Sequence, residues 1–279
     1  TTTQVSMTNL VNSSGTVGSD VTGVGTARRI LAATGYGLDK AIFAYGLTSG
    51  VVSMSNLVSN SGVVASDTTG VGTARYGLAA AVYGLDKAIF AYGYTGSLVS
   101  MSNLVNSSGV IASDVSGVGT DRSDLAAAGY GTDKAIFAYG NDASGGANNA
   151  SMSNLVNSSG VIASDVTGVG TARQILAATA YGRDKAIFGY GYTGSNVSMS
   201  NLVTNVGVIG SDVSGVGTAR YGLAAAVYGE DKALFGYGNS GSQTGITNLV
   251  NNSGVIASDV SGVGTARSYL AAAGYSLSA

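Results

Sequence analysis

The fold predicted for this chain is an all-β ring, a β-propeller of six four-stranded blades. Two observations predict it. The sequence repeats itself about every 47 residues, and within each repeat four short apolar segments are separated by Gly, Ser, Asn and Asp.

The repeat is fixed by three anchors. An Asn-Leu-Val phrase begins at Asn9, Asn56, Asn103, Asn154, Asn201 and Asn248, at spacings of 47, 47, 51, 47 and 47 residues. The long spacing holds an insertion, NDASGGANNA, at 141–150. A Ser-Asp pair recurs with Asp20, Asp67, Asp114, Asp165, Asp212 and Asp259. A GVGTAR phrase ends at Arg28, Arg75, Arg122, Arg173, Arg220 and Arg267, with Asp121 once in place of its Ala. No linker separates the units, so residues 1–279 are expected to form one domain, its closing blade shared by about 1–25 and 267–279.

Within 78–115 the four segments are LAAAVYG, KAIFAYG, VSMSNLVN and GVIASDV. Each is a strand-length run bounded by turn residues. In the first, small side chains suit an innermost strand crowded around an axis. In the second, Ala88, Phe90 and Tyr92 share one face and Lys87, Ile89 and Ala91 the other. Gly-Leu-Asp-Lys reads as the turn between strands one and two, and Asn-Ser-Ser-Gly as the turn between strands three and four. A helical solenoid has a similar period. It fails because Gly interrupts every segment, at about 1 kcal/mol each against Ala within a helix, and no helical pattern is sustained.

One segment breaks the count. First strands occur six times, as do third and fourth strands, but the second-strand phrase occurs five times, at 36–46, 83–93, 130–140, 181–191 and 228–238. Ring closure is therefore expected to join the termini around one vacant second-strand position. That position is filled in part by 276–279 or Thr1–Gln4, or the blade has three strands, or another chain adds the strand.

Composition excludes several function classes. The chain has no Cys and no His, which removes disulfides, thiolate chemistry and most transition-metal sites, so no metal and no cofactor is expected. A Ser-His-Asp triad is impossible. Charged residues are 10% and the net charge is −2, which leaves no basic field for nucleic acid. No apolar run is long enough to span a membrane.

The 12 repeat-matched charges, Asp20, Asp67, Asp114, Asp165, Asp212 and Asp259 with Arg28, Arg75, Arg122, Arg173, Arg220 and Arg267, are read as scaffold. Each Asp has a matched Arg eight residues on, and the two are expected to share one network that fixes blade against blade. Six identical acids do not make the two unlike environments of a catalytic pair, so no catalytic residue is assigned. GVGT lacks the Lys-Ser/Thr ending of a phosphate loop.

Binding residues are sought where the repeats differ. The first variable place is the pair after the repeat arginine, which includes Arg29, Tyr76, Asp124, Gln174, Tyr221 and Tyr269. The second is the link between strands two and three, which includes Tyr94, Asp142, Asn148 and Tyr192. In an up-and-down blade both places emerge on one face, around the mouth of the axis. Loops on a rigid scaffold carry binding, and the tyrosines are natural anchors for a protein or sugar. The turn residues Leu38, Leu85, Thr132, Arg183 and Glu230 vary on the opposite face.

The stretch GTARYGLAAAVYGLDKAIFAYG at 72–93, followed by Asn-Leu-Val, resembles a kelch repeat of the galactose oxidase-like propellers. In that family an Arg enters the innermost strand, the second strand ends in Gly-Gly, and a later strand carries Asn and then Trp. The Arg matches in every unit, the Gly pair appears as Tyr-Gly (Tyr45-Gly46), and Ser-Asp-Val replaces the Trp. DKAIFGYG with GVGTAR is also similar to repeats in predicted structural proteins of marine bacteriophages. These resemblances imply a non-enzymatic structural or interaction propeller, virion-associated or extracellular, whose partner is a protein or a larger assembly. The alternative from another class is a lectin-like propeller with repeated glycan sites.

Overall fold

The computed structural model describes residues 4–143 and 149–275. Among them are 15 strands and no helix. They make five antiparallel three-stranded sheets: β1–β3 (Ala32–Tyr36, Lys40–Ala44, Ser55–Val58), β4–β6 (Ala79–Tyr83, Lys87–Ala91, Ser102–Val105), β7–β9 (Ala126–Tyr130, Lys134–Ala138, Ser153–Val156), β10–β12 (Ala177–Tyr181, Lys185–Tyr192, Asn196–Val203) and β13–β15 (Ala224–Tyr228, Lys232–Gly236, Thr247–Val250). In each sheet the Lys-Ala-Ile/Leu-Phe strand is central, and its register repeats: Ala33 faces Phe43, which faces Asn56, as Ala80 faces Phe90 and Asn103.

This corrects two expectations, the six sheets and the four strands in each. The fourth segment joins the third strand through two isolated bridges, such as Ser55 to Thr68 and Val58 to Val64. Between the bridges Ala65 N donates to Leu57 O. Ile111 of this segment in the second unit packs inward at 6% exposure, while Val110, Ala112, Ser113 and Asp114 beside it lie exposed on the outer rim, and the segment holds the edge without a continuous ladder. In the sixth unit Thr8 and Val11 bridge Val21 and Val17, but no named strand forms among its described residues.

Both expected turns form. Gly37 and Leu38 have φ of 59° and 74° in the loop from β1 to β2. Asn106 O accepts from Gly109 N, and Asn106 Oδ1 accepts from Ser108 N and Val110 N. Gly109 (φ 82°) needs its missing side chain twice over, because a Cβ would also lie 2.9 Å from the Tyr36 ring of the preceding unit.

The core lies between sheets rather than on one side of each. Ala32, Ile42, Ala44 and Tyr45 of the first sheet pack on Leu78, Ala88, Phe90 and Val105 of the second, and three further clusters repeat the arrangement. The two-faced pattern of KAIFA therefore gives no exposed face. Ala88, Ile89, Phe90 and Ala91 are all fully buried, since the second sheet lies between the first and the third.

Six repeats close on one another. Ile30 N donates to Tyr269 O, Tyr269 N to Gly222 O, Gly222 N to Ile175 O, Ile175 N to Asp124 O, Asp124 N to Gly77 O, and Gly77 N to Ile30 O, at 2.7–3.2 Å. This cyclic chain of backbone hydrogen bonds places the first and sixth units side by side. Gly274 likewise lies between β1 and β13, close to Gly35 and Val227.

Candidate functional site

Two sets of candidate residues were expected, and the structure places both. The repeat-matched charges tie the link that enters each sheet to the third strand and outer segment of that same sheet. Thr73, on the link into β4, donates through both its backbone N and its hydroxyl to Asp114 on the outer segment of the β4–β6 sheet, the hydroxyl at 2.6 Å. Asn103 Nδ2 donates to the same carboxylate at 2.8 Å, while Asn103 Oδ1 accepts from Arg75 at 2.6 Å. Gly72 leaves room for this approach, because a Cβ there would sit 2.4 Å from Asp114 Oδ1.

The expected partners are therefore corrected. Each aspartate joins the Thr and Arg of the preceding repeat, not the Arg eight residues on. Arg28 lies 3.6 Å from Asp67, Arg75 4.0 Å from Asp114, and Arg267 3.7 Å from Asp20. Asp165, Asp212 and Asp259 accept in the same way from Thr120, Thr171 and Thr218. Asp20 accepts from Thr265 and carries the junction across the termini. The Thr26 and Thr265 hydroxyls hold the Asp67 and Asp20 carboxyls below their ordinary range. For Asp114, Asp165, Asp212 and Asp259 partial burial pushes upward, yet the Thr and Asn hydrogen bonds still leave the carboxyl lowered.

The arginine side chains are clamped at the same place. Arg75, Arg122, Arg173, Arg220 and Arg267 lie over the rings of Tyr45, Tyr92, Tyr139, Tyr190 and Tyr237 at 4.2–4.7 Å, each tyrosine belonging to the preceding unit. Those tyrosines sit at φ of 62–66°, a left-handed backbone that bulky residues avoid. The stack, a contact of four of them with the next unit's Phe at 5.2–5.5 Å, and a hydroxyl bond such as Tyr92 to Val118 O over-determine that conformation. Burial pushes the Tyr92 hydroxyl up to about 12. Sequence reasoning missed these tyrosines as junction residues; their signal was the invariant Tyr-Gly at each second-strand end.

The variable residues gather on one face, as the strand order requires. Arg29 bridges Leu47, Tyr76 bridges Tyr94, Ser123 bridges Asn141, Gln174 bridges Tyr192, and Tyr221 bridges Asn239. The two variable places of each unit are thus paired side by side. Tyr76 packs on Tyr94 at 5.4 Å, Tyr192 on Tyr221 at 5.7 Å, and Tyr221 on Tyr269 at 6.0 Å. Asp142 is half-buried beside this rim, and Asn148 lies outside the described residues.

At the centre stands the hydrogen-bonded ring of Ile30, Gly77, Asp124, Ile175, Gly222 and Tyr269. All six have φ of 53–64°, although four are not glycine. Asp124 is the one acid of this ring. Burial pushes its carboxyl from 3.8 up to about 6, against a weak hydrogen bond from the Ser123 hydroxyl at 3.4 Å. Burial first, then the neighbouring Tyr221 and Asp124, push the Tyr269 hydroxyl up to about 12. The opposite face carries exposed Leu38 and Leu85 and an Arg183–Glu230 ion pair.

Among the described residues no group of three His, Cys, Asp or Glu stands together to hold a metal, and no helix is long and apolar enough to cross a membrane. No protein-family model matches this sequence, and no curated protein sequence matches it.

Proposed function

We propose that the chain is a six-bladed, kelch-like β-propeller and acts as a non-enzymatic interaction module. It presents the face around Arg29, Tyr76, Tyr94, Gln174, Tyr192, Tyr221 and Tyr269 to a protein partner, as part of a virion or another surface structure. One observation carries this reading: the positions at which the repeats differ are paired across each unit and meet in clusters of half-buried tyrosines. The repeated charges, by contrast, are consumed in tying each sheet's entry link to its outer edge. Half-buried tyrosines on a fixed backbone give large contact area at little entropic cost, which suits recognition.

The experiment replaces Tyr76, Tyr94, Tyr192 and Tyr221 by Ser together and follows retention of the protein in its native assembly. The expected result is loss of association with circular dichroism unchanged. A glycan-array screen of the unaltered chain is expected to be blank. Saturable binding to one sugar class, abolished by changes between units rather than on this face, would replace this reading by the lectin.

A further inference from the structure

Five of the six residues in the axial ring are uncharged, and the sixth is an acid. Ile30, Gly77, Ile175, Gly222 and Tyr269 stand where Asp124 stands in its own unit. The ring does not need that carboxylate. Its hydrogen bonds run through backbone atoms alone: Asp124 N donates to Gly77 O at 2.7 Å, and Asp124 O accepts from Ile175 N at 2.8 Å.

The carboxylate leans over Gly77, where a Cβ would lie 3.1 Å from Asp124 Oδ1. Among the described residues it forms no ion pair, and its side chain's one hydrogen bond is the 3.4 Å contact from the Ser123 hydroxyl. A carboxylate taken out of water without a counter-ion is unfavourable. Asp124 is nevertheless half-buried rather than sealed, so it can be reached from the mouth of the axis.

Tyrosines and one cation surround it. Tyr76, on the neighbouring link, and Tyr269, across the ring, both respond to the charges of Asp124 and Arg29. The Tyr76–Tyr94 and Tyr269–Tyr221–Tyr192 contacts continue these rings over the face. Outside the repeated charges, the links of this face carry Asp121, Asp124 and Asp142, all on one sheet, against Arg29. The five lysines begin the central strands, at Lys40, Lys87, Lys134, Lys185 and Lys232, and so lie toward the opposite face.

We propose that Asp124, Tyr76 and Tyr269 form a seat for one lysine side chain of the protein partner. Its ammonium group pairs with the carboxylate and donates to the tyrosine hydroxyls, while the rings cover its methylene stem. The incoming charge supplies the counter-ion that this carboxylate lacks. Exposed Arg29 at the edge of the seat repels a second positive charge, which selects a single lysine over a basic run. This inference rests on the loop-face reading and narrows it to a partner that presents lysine.

Carbon-13 NMR tests it by following the Asp124 carboxyl carbon while the 279-residue chain is titrated with N-acetyl-lysine methylamide at constant ionic strength. The expected result is a saturable shift, with the carboxyl midpoint moved down because a cation favours the charged form. Binding is expected to weaken as pH falls below about 6. Asp124→Asn is expected to weaken it at least about tenfold, read from the Gly77 and Ile175 amide shifts. Absence of a saturable shift overturns the proposal, as does an equal response to uncharged N-acetyl-norleucine methylamide or unchanged binding by Asp124→Asn. In the native assembly Asp124→Asn is then compared with the four-tyrosine variant. Release of Asp124→Asn supports the seat. Release of the tyrosine variant alone overturns the seat and leaves the loop-face reading standing. Analogue binding with neither variant released supports the seat and overturns that reading.

Discussion

The four junctions between complete sheets and the two that flank the sixth unit are built from the same letters, and among the described residues they differ in what covers the middle. At a complete junction a Phe, a Tyr and an Arg from consecutive units stack in one column that is closed to water. At the sixth unit the rim bridges, the Thr265–Asp20 hydrogen bond and the axial backbone ring all persist, while the column is broken. Polar latches and apolar columns are therefore separable devices. The latches fix each entry link on the sheet it enters, and the columns supply the burial between one sheet and the next.

Substitutions in the two regions sharpen this contrast. The largest effect is expected at the columns. Tyr139→Ala removes a fully buried ring with its hydroxyl bond and is expected to cost about 3–5 kcal/mol in denaturant unfolding. Tyr237→Ala is expected to cost clearly less, since its ring is 6% exposed and no described Phe packs on it. Equal costs would break the comparison.

Arginine is the next test. Arg75→Ala leaves Asn103 Oδ1 and Tyr92 O without their donor and uncovers the Tyr45 ring, for an expected loss of about 3 kcal/mol. Arg28→Ala is expected to lose less than half of that, because it covers no described ring. Thermal melts of both variants decide it.

At the axis the contrast is between an acid and its apolar equivalents. The Asp124 carboxyl is raised in the folded chain to about 6, so between its ordinary 3.8 and that value the folded state holds the extra proton. Its contribution is thus lost as pH rises through this window. Asp124→Asn is expected to stabilise the chain at pH 7 by about 3 kcal/mol and to be neutral below pH 4. Equal effects at both pH values would contradict the buried carboxyl. The six junction aspartates run the other way: their carboxyls are lowered, so stability is present above the ordinary carboxylate range and is lost as pH falls.

The smallest and most even effect is expected at the latches. Thr73→Val and Thr265→Val each remove one hydroxyl bond of 2.6 Å to a carboxylate and are expected to cost about 1 kcal/mol alike. A large difference between them would mean that the latch at the termini is not equivalent to the rest.

The sequence made the period, the turns and the gathering of variable residues on one face legible, because these follow from local chemistry and strand order. Gly37-Leu38 and Asn106–Gly109 form turns as their residue types require. Partner choice was not legible. In a tandem repeat Asp67 has Arg28 on one side and Arg75 on the other, and identical letters give no means of choosing; the fold selects Arg28. Exposure was not legible either, since KAIFA alternates like a half-exposed strand but has a sheet against each face. The fourth segment makes two bridges and no strand, with Ile111 turned inward and 112–115 exposed on the open rim, a split that its letters do not announce.

The central claim is that six equivalent latches accompany four closed columns and, on either side of the sixth unit, two open ones. Residue-resolved hydrogen exchange on the free chain tests it most directly. The account predicts slow exchange in Ala41–Ala44, Ala88–Ala91, Ala135–Ala138, Ala186–Gly189 and Ala233–Gly236. It predicts markedly faster exchange at Thr8–Val11 and Ala271–Gly274. Uniform protection around all six units would contradict it.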